Sequence, residues 1–297
     1  MKPGAPLTCL ARLIASVRWR EVAVLQGTPL FGALFSIGSL TGGKIAALAL
    51  MVAGSCCLVA HVFVLNDWAG VDGDLHDPHR EASVFVHQGI SRRAMGYLAL
   101  ALMIAALALL AALGAEPFAL GAGVVTLSAL YSAPGLHFKG VPVANSGLHI
   151  AGGVAHFLMG YALFSATDAR GLAVAGFFAL TFAAGHLTHE ARDWEGDSLN
   201  AIRTNAVRFG RKACFLASFA LFTLSYAWLT GLALAGVVPP AIAWIVLLYP
   251  LQLYWTLRTL RAGLSFETLG AMQARYRLYF LIIGAVIVVS LLPSLRP

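Results

Sequence analysis

The chain has 297 residues, of which 59% are hydrophobic and 11% charged, with a mean hydropathy of +0.80 and a net charge of +7. Soluble globular chains carry about 25% charged residues, and one soluble domain of this length cannot bury so much apolar side chain, whereas a bilayer accepts apolar stretches of about 20 residues directly. A water-soluble fold is therefore excluded, and so is a nucleic-acid binder, because the positive charge alternates from loop to loop instead of forming one patch.

In chain order, residues 1–21 form a basic N-terminal segment with Lys2, Arg12, Arg18 and Arg20. The first apolar stretch, 22–40, lacks a small-residue cleavage pattern and is followed by many equally long ones, so it reads as a mature span and not a signal. Breaks at charged residues, Gly and Pro then give spans near 45–65, 94–114, 117–134, 143–165, 171–188, 213–236, 239–256 and 278–294. That predicts an all-α, polytopic protein of about nine helices. Arg80, Arg92, Arg93, Lys139, Arg192, Arg203, Arg208, Arg211, Lys212, Arg258, Arg261, Arg275 and Arg277 fall on the side of the N-terminus, and only Lys44, Arg170 and Arg296 on the other. The positive-inside rule puts the N-terminus and the long loops in the cytoplasm and the C-terminus outside. Three of the four cysteines, Cys56, Cys57 and Cys214, lie in spans, and with Cys9 they show no metal-ligand spacing.

Most of the thirteen Asp and Glu gather in two segments on that cytoplasmic side: HVFVLNDWAGVDGDLHDPHR at 61–80 and GHLTHEARDWEGDSLNAIRT at 185–204. Each follows an apolar span and contains an Asp-Trp pair, which reads as a weak internal duplication. On a helix continuing past the membrane edge, Asp67 and Asp74 differ by only about 20° around the axis, and Asp193 and Asp197, four apart, by about 40°. Two acidic faces opposed across a bundle repel unless cations lie between them. Oxygen ligands without His or Cys suit a hard ion, and Mg²⁺ takes one or two carboxylates together with waters and phosphate oxygens. The residues thus point to a diphosphate held through Mg²⁺.

Asn66-Asp67 with Asp74, followed by Pro78, Arg80 and Gly89-Ile90-Ser91, resembles the first aspartate-rich motif, N-D-x-x-D-x-x-x-D, of the UbiA superfamily of intramembrane prenyltransferases. Asp193-Trp194-Glu195-Gly196-Asp197 with Arg203-Thr204 is similar to the second, and Tyr131-Ser132-Ala133-Pro134 with Lys139 resembles its Y-S-x-P-x-x-x-x-K stretch. The resemblance implies one transmembrane domain over 1–297, a bundle with a central chamber and a cytoplasmic cap. It further implies Mg²⁺-dependent transfer of a prenyl group from an isoprenyl diphosphate to an aromatic, tetrapyrrole or carotenoid-like acceptor within the membrane. Asn66, Asp67, Asp74, Asp193 and Asp197 are then expected to hold metal, and Lys139, Arg80 and Arg203 to neutralise the diphosphate, with Tyr131 beside it. One position departs from the pattern: Gly70 stands where the first motif has its middle aspartate. Asp72 points about 140° away from Asp67 on a continuing helix, and replaces that ligand only if the helix unwinds at Gly70 or Gly73.

Further polar residues sit near the same membrane edge. Asn145, Ser146 and His149 share one side of a helix and are candidates for binding the acceptor, or for packing. His61, His186 and His189 are candidate proton acceptors or interhelical hydrogen bonders. Two other functions stay open: a terpene cyclase of the same superfamily, motivated by Gly70, and a transporter or non-catalytic lipid-binding protein, motivated by the duplication.

Overall fold

The computed structural model describes residues 9–295, and all regular structure among them is helical. Short helices α1 (Cys9–Ala15), α2 (Trp19–Leu25) and α3 (Gly27–Ser36) lead into α4 (Gly42–Asp74), the longest, whose first turn is capped by the Thr41 hydroxyl accepting from the Lys44 amide. α5 (Arg92–Ala111), capped by Ser91, and α6 (Ala115–Ser132) follow, then α7 (Ala144–Tyr161) and α8 (Ala169–Arg192), whose cap Asp168 accepts from Gly171 N at 2.7 Å. α9 (Trp194–Leu199) and α10 (Asn205–Phe209) are short. α11 (Arg211–Leu234), a 3₁₀ segment Pro240–Leu248 running into α12 (Tyr249–Ala262), α13 (Phe266–Leu291) and a last 3₁₀ turn, Leu292–Leu295, complete the described residues.

Among the described residues, six helical stretches are long and apolar enough to cross a membrane: Gly42–Asp74, Arg92–Ala111, Ala169–Arg192, Arg211–Leu234, Pro240–Ala262 and Phe266–Leu291. α3, α6 and α7 lie where three further spans are expected, but they are shorter or more polar: Glu116 and Pro117 open α6, and Asn145, His149 and His156 interrupt α7. The expected span at 22–40 is divided at Gln26 between α2 and α3, and the one at 239–256 begins as a 3₁₀ helix after Pro239 and Pro240.

α4 packs on α5, α8 on α11, and α7 on α3, α6 and α8. The α3–α7 crossing depends on two glycines, since a Cβ at Gly32 would lie 2.0 Å from Phe157 O and one at Gly160 only 1.8 Å from Pro29 O. The two backbones touch, which is how membrane helices gain dispersion contact without a hydrophobic driving force. Around this crossing Phe157 stacks on Phe178 at 4.8 Å within the largest apolar cluster. Large apolar side chains such as Leu234 and Leu281 remain exposed, as expected where the solvent is lipid.

What positions the site is the far end of α4. The helix runs on for nine residues beyond the predicted apolar span and passes through Gly70 and Gly73 without a break, neither glycine having a positive φ. The loop at 75–91 then folds back in two 3₁₀ turns, Glu81–Ser83 and Phe85–Gln88, and ends at Gly89 with φ of 73° before Ser91 starts α5. α8 ends at the same level, and α9 continues it after Asp193.

Candidate functional site

A single cleft forms where these ends meet. Asn66, Gly70, Gly73 and Asp74 of α4 line one side, with Asp77 and Arg80 from the loop after it, Tyr131 and Ser132 from the end of α6, His137 and Lys139 from the segment that follows, and Asp193, Gly196, Asp197 and Asn200 from the far wall. The α4 members recur at helical spacing, so one continuous face is presented to the cleft.

Arg80 ties the two acidic segments together. Its guanidinium lies 3.4 Å from Asp74 and 3.7 Å from Asp77, and Nη2 donates to the Asp193 carboxylate. Arg192 Nε donates to the other oxygen of Asp193 at 2.7 Å. Burial alone would raise the Asp193 carboxyl, but Arg80 and Arg192 outweigh it and bring it down to about 2. Burial likewise works against the Arg80 charge, yet Asp193, Asp74 and Asp77 more than restore it. Asp197, 7% exposed at its side chain, faces Lys139 Nζ at 3.1 Å. Its carboxyl is raised, chiefly by burial, with the Asp193 charge adding to the shift and Lys139 opposing it. The two carboxyls of the second segment are thus driven apart, one firmly ionised and one closer to accepting a proton.

The cleft unites Asn66, Asp74, Arg80, Tyr131, Lys139, Asp193 and Asp197 of the expected residues and leaves four elsewhere. Asp67 turns to Arg18, which donates to it through Nη2 and, at 3.2 Å, through Nε. Arg203 is exposed and outside the lining. Asn145 is fully buried: Nδ2 donates to Lys139 O at 3.1 Å and to Glu190, while Oδ1 accepts from Asn205 at 2.7 Å. His149 lies behind Tyr131, with ring centroids 5.1 Å apart. Asp72 is 78% exposed at its side chain and pairs with Arg92, away from the cleft.

Asp77, Arg18, Ser132 and Asn200 were not legible as site residues. Asp77 is buried, and a Cβ on Gly196 would come within 2.1 Å of its Oδ2, so the glycine between the second-segment acids is what lets the first segment dock. Asp77 had a signal, three residues past Asp74 in the same acidic run. Asn200 donates to Gly73 O at 3.0 Å, and Ser132 to Asn66 Oδ1 at 3.4 Å.

Among the described residues, no three His, Cys, Asp or Glu side chains are drawn together as a ready-made metal cage. The acids and Asn66 offer oxygen donors, and one guanidinium already spans Asp74 and Asp193, so carboxylates from the two segments lie within reach of one shared cation. That donor chemistry fits a hard divalent ion completed by waters and phosphate oxygens.

The chain belongs to the UbiA prenyltransferase family, whose model matches residues 27–265. Among solved structures it resembles a UbiA homolog from Archaeoglobus fulgidus bound to GPP and Mg²⁺, at 19% identity, a TM-score of 0.69, and coverage of 94% of this chain and 100% of that one. A UbiA homolog from Aeropyrum pernix K1 gives 21% identity and a TM-score of 0.71, with 93% of this chain and 100% of that one covered. A digeranylgeranylglyceryl phosphate synthase gives 15% identity and 0.69, with 97% and 100% covered. A search of curated proteins finds no match.

Proposed function

We propose that this protein transfers a prenyl group from an isoprenyl diphosphate to a lipophilic acceptor inside the membrane, at a cytoplasmic cleft, with the N-terminus on the same side and the C-terminus outside. The observation that carries the reading is Arg80 held between Asp74 and Asp193, with Lys139 on Asp197 beside it. Acids from two helix ends and two cations, Arg80 and Lys139, share one cleft, and such a cleft suits a polyanion that arrives with metal. The A. fulgidus homolog, solved with GPP and Mg²⁺ and with DMAPP and Mg²⁺, supports the choice of polyanion.

Asp74, Asp193 and Asp197, with Asn66, would hold Mg²⁺ through their oxygens, and Asp67 would join them by exchanging Arg18. Bound there, Mg²⁺ supplies Lewis-acid stabilisation of the departing diphosphate. Arg80 and Lys139, released from their carboxylates, turn to the diphosphate oxygens and neutralise the charge that grows as the carbon–oxygen bond breaks. Tyr131 lines the same cleft, where its ring would stabilise developing cationic carbon. The apolar bundle excludes water from that carbon. Its acceptor is aromatic, tetrapyrrole or carotenoid-like in this reading.

Purified protein with Mg²⁺ and geranyl or farnesyl diphosphate should form a prenylated product from one member of an acceptor panel. No turnover across the panel would sink the proposal, and a cyclic hydrocarbon or alcohol made without any acceptor would replace it with the cyclase.

A further inference from the structure

Behind the cleft wall, rings from three helices meet. Tyr131 of α6 approaches His149 of α7 edge-on at 5.1 Å and His186 of α8 at 6.2 Å, and the two imidazoles stack with centroids 3.7 Å apart and planes 12° apart. Hydrogen bonding fixes the tautomer of the first. His149 Nδ1 lies 2.9 Å from Asn145 O, and a carbonyl only accepts, so Nδ1 carries the proton. In the neutral ring Nε2 then keeps a lone pair, and no hydrogen-bond partner for it is found among the described residues. His186 Nε2 lies 3.2 Å from Glu190 Oε1, close enough for charge attraction but without the alignment of a hydrogen bond. Glu190 in turn is held as an acceptor by Asn145 Nδ2 and by the amide and side chain of Asn205, at 3.0 and 2.9 Å.

We propose that His149, backed by His186 and Glu190, takes the proton that the acceptor gives up when it is prenylated, an inference that rests on the prenyl-transfer reading. The allylic carbon–oxygen bond breaks with its electron pair leaving on the diphosphate. An electron pair of the acceptor forms the new bond to the allylic carbon, the acceptor's O–H or ring C–H pair stays with the acceptor, and the proton goes to His149 Nε2. A charged imidazolium in a bundle interior needs a counter-charge, and Glu190, 3.2 Å from the His186 ring that stacks on His149, supplies one through space. The acceptor is accordingly a protic nucleophile: a phenol, an alcohol or an aromatic carbon bearing hydrogen. A thioether or tertiary amine, which has no proton to lose, has no need of this pair.

The full chain in lipid nanodiscs, with Mg²⁺, geranyl diphosphate, and homogentisate, 1-naphthol and a glycerol monoether as acceptors, provides the test. His149→Ala should lose about a hundredfold in transfer, bind radiolabelled geranyl diphosphate as the wild type does, and regain much of its rate when imidazole is added. His186→Gln should lose about tenfold with the same unchanged binding. Wild-type transfer by His149→Ala, or a loss that imidazole leaves untouched, overturns the inference while prenyl transfer stands. A variant that no longer binds geranyl diphosphate marks the histidine as structural and also counts against it. If the wild type prenylates none of the acceptors, the failure lies with prenyl transfer itself and takes this inference with it.

Discussion

Lys139 Nζ lies 3.1 Å from Asp197 Oδ1, so the 3₁₀ turn Phe138–Gly140 after α6 and the short helix α9 are joined by an ion pair whose acid is nearly buried and whose base is partly open. A pair of that kind is a latch that a competing anion can take over: the lysine needs only a rotamer change to reach a phosphate, while the carboxylate stays fixed on α9. Lys139→Met should therefore raise the geranyl diphosphate concentration needed for half-maximal rate by about tenfold or more, the loss of one charge-assisted contact. Steady-state kinetics at saturating Mg²⁺ check it.

Gly70 is where an added carboxylate should help. Its backbone is helical without positive φ, and a Cβ there meets only Asp74 Oδ2, at 3.9 Å. Gly70→Asp is free of strain, places a like charge one turn from Asp74, and should melt earlier than wild type without metal. With Mg²⁺ the order should reverse, and half-maximal rate should need less metal. Melting curves with and without Mg²⁺ read both effects.

Gly196→Ala tests the docking of the two acidic segments. Its Cβ would collide with Asp77 at 2.1 Å, and Asp77 also anchors the His79 amide at 2.9 Å, so the side chain cannot simply swing away. Overpacking of this kind costs about 1–3 kcal/mol. The variant should melt lower and lose most of its activity, whereas Asp72→Ala, which removes only an exposed pair with Arg92, should stay within about 0.5 kcal/mol of wild type.

Asp193 makes the metal-free protein sensitive to acid. Its folded-state carboxyl is held at about 2 against an ordinary 3.8, so the folded chain gives up this proton more readily than the unfolded one. The resulting stabilisation, about 2 kcal/mol, is complete above about pH 4 and is lost as pH falls toward 2. Arg80→Gln removes the largest favourable charge and should show a shallower fall over that window. Thermal melts between pH 5 and 2.5 measure the difference.

Much of this was legible in the sequence, for reasons that differ by residue. Apolar run length located the long helices, and the two acidic segments marked the helix ends that meet at the candidate cleft, because both signals are local, although Asp67 turns to Arg18 instead of lining it. Hydropathy stopped α4 at Leu65, since it takes no account of a helix that continues on polar residues to Asp74. Arg18 was not legible as the partner of Asp67 across 49 residues, because that contact depends on how the amino-terminal helices pack. Asn145 carried two readings until its amide was seen to be spent on Lys139, Glu190 and Asn205, which sets it in the framework behind the cleft.

The most direct measurement is diphosphate release from geranyl diphosphate by the purified protein, with and without Mg²⁺, for wild type and Asp193→Ala in the presence of a productive acceptor. Release by the wild type should depend on Mg²⁺, and Asp193→Ala, which empties the far wall of its ionised carboxylate and frees Arg80 and Arg192, should fall by about a hundredfold or more. Asp193→Ala releasing diphosphate at the wild-type rate would contradict the assignment of the cleft.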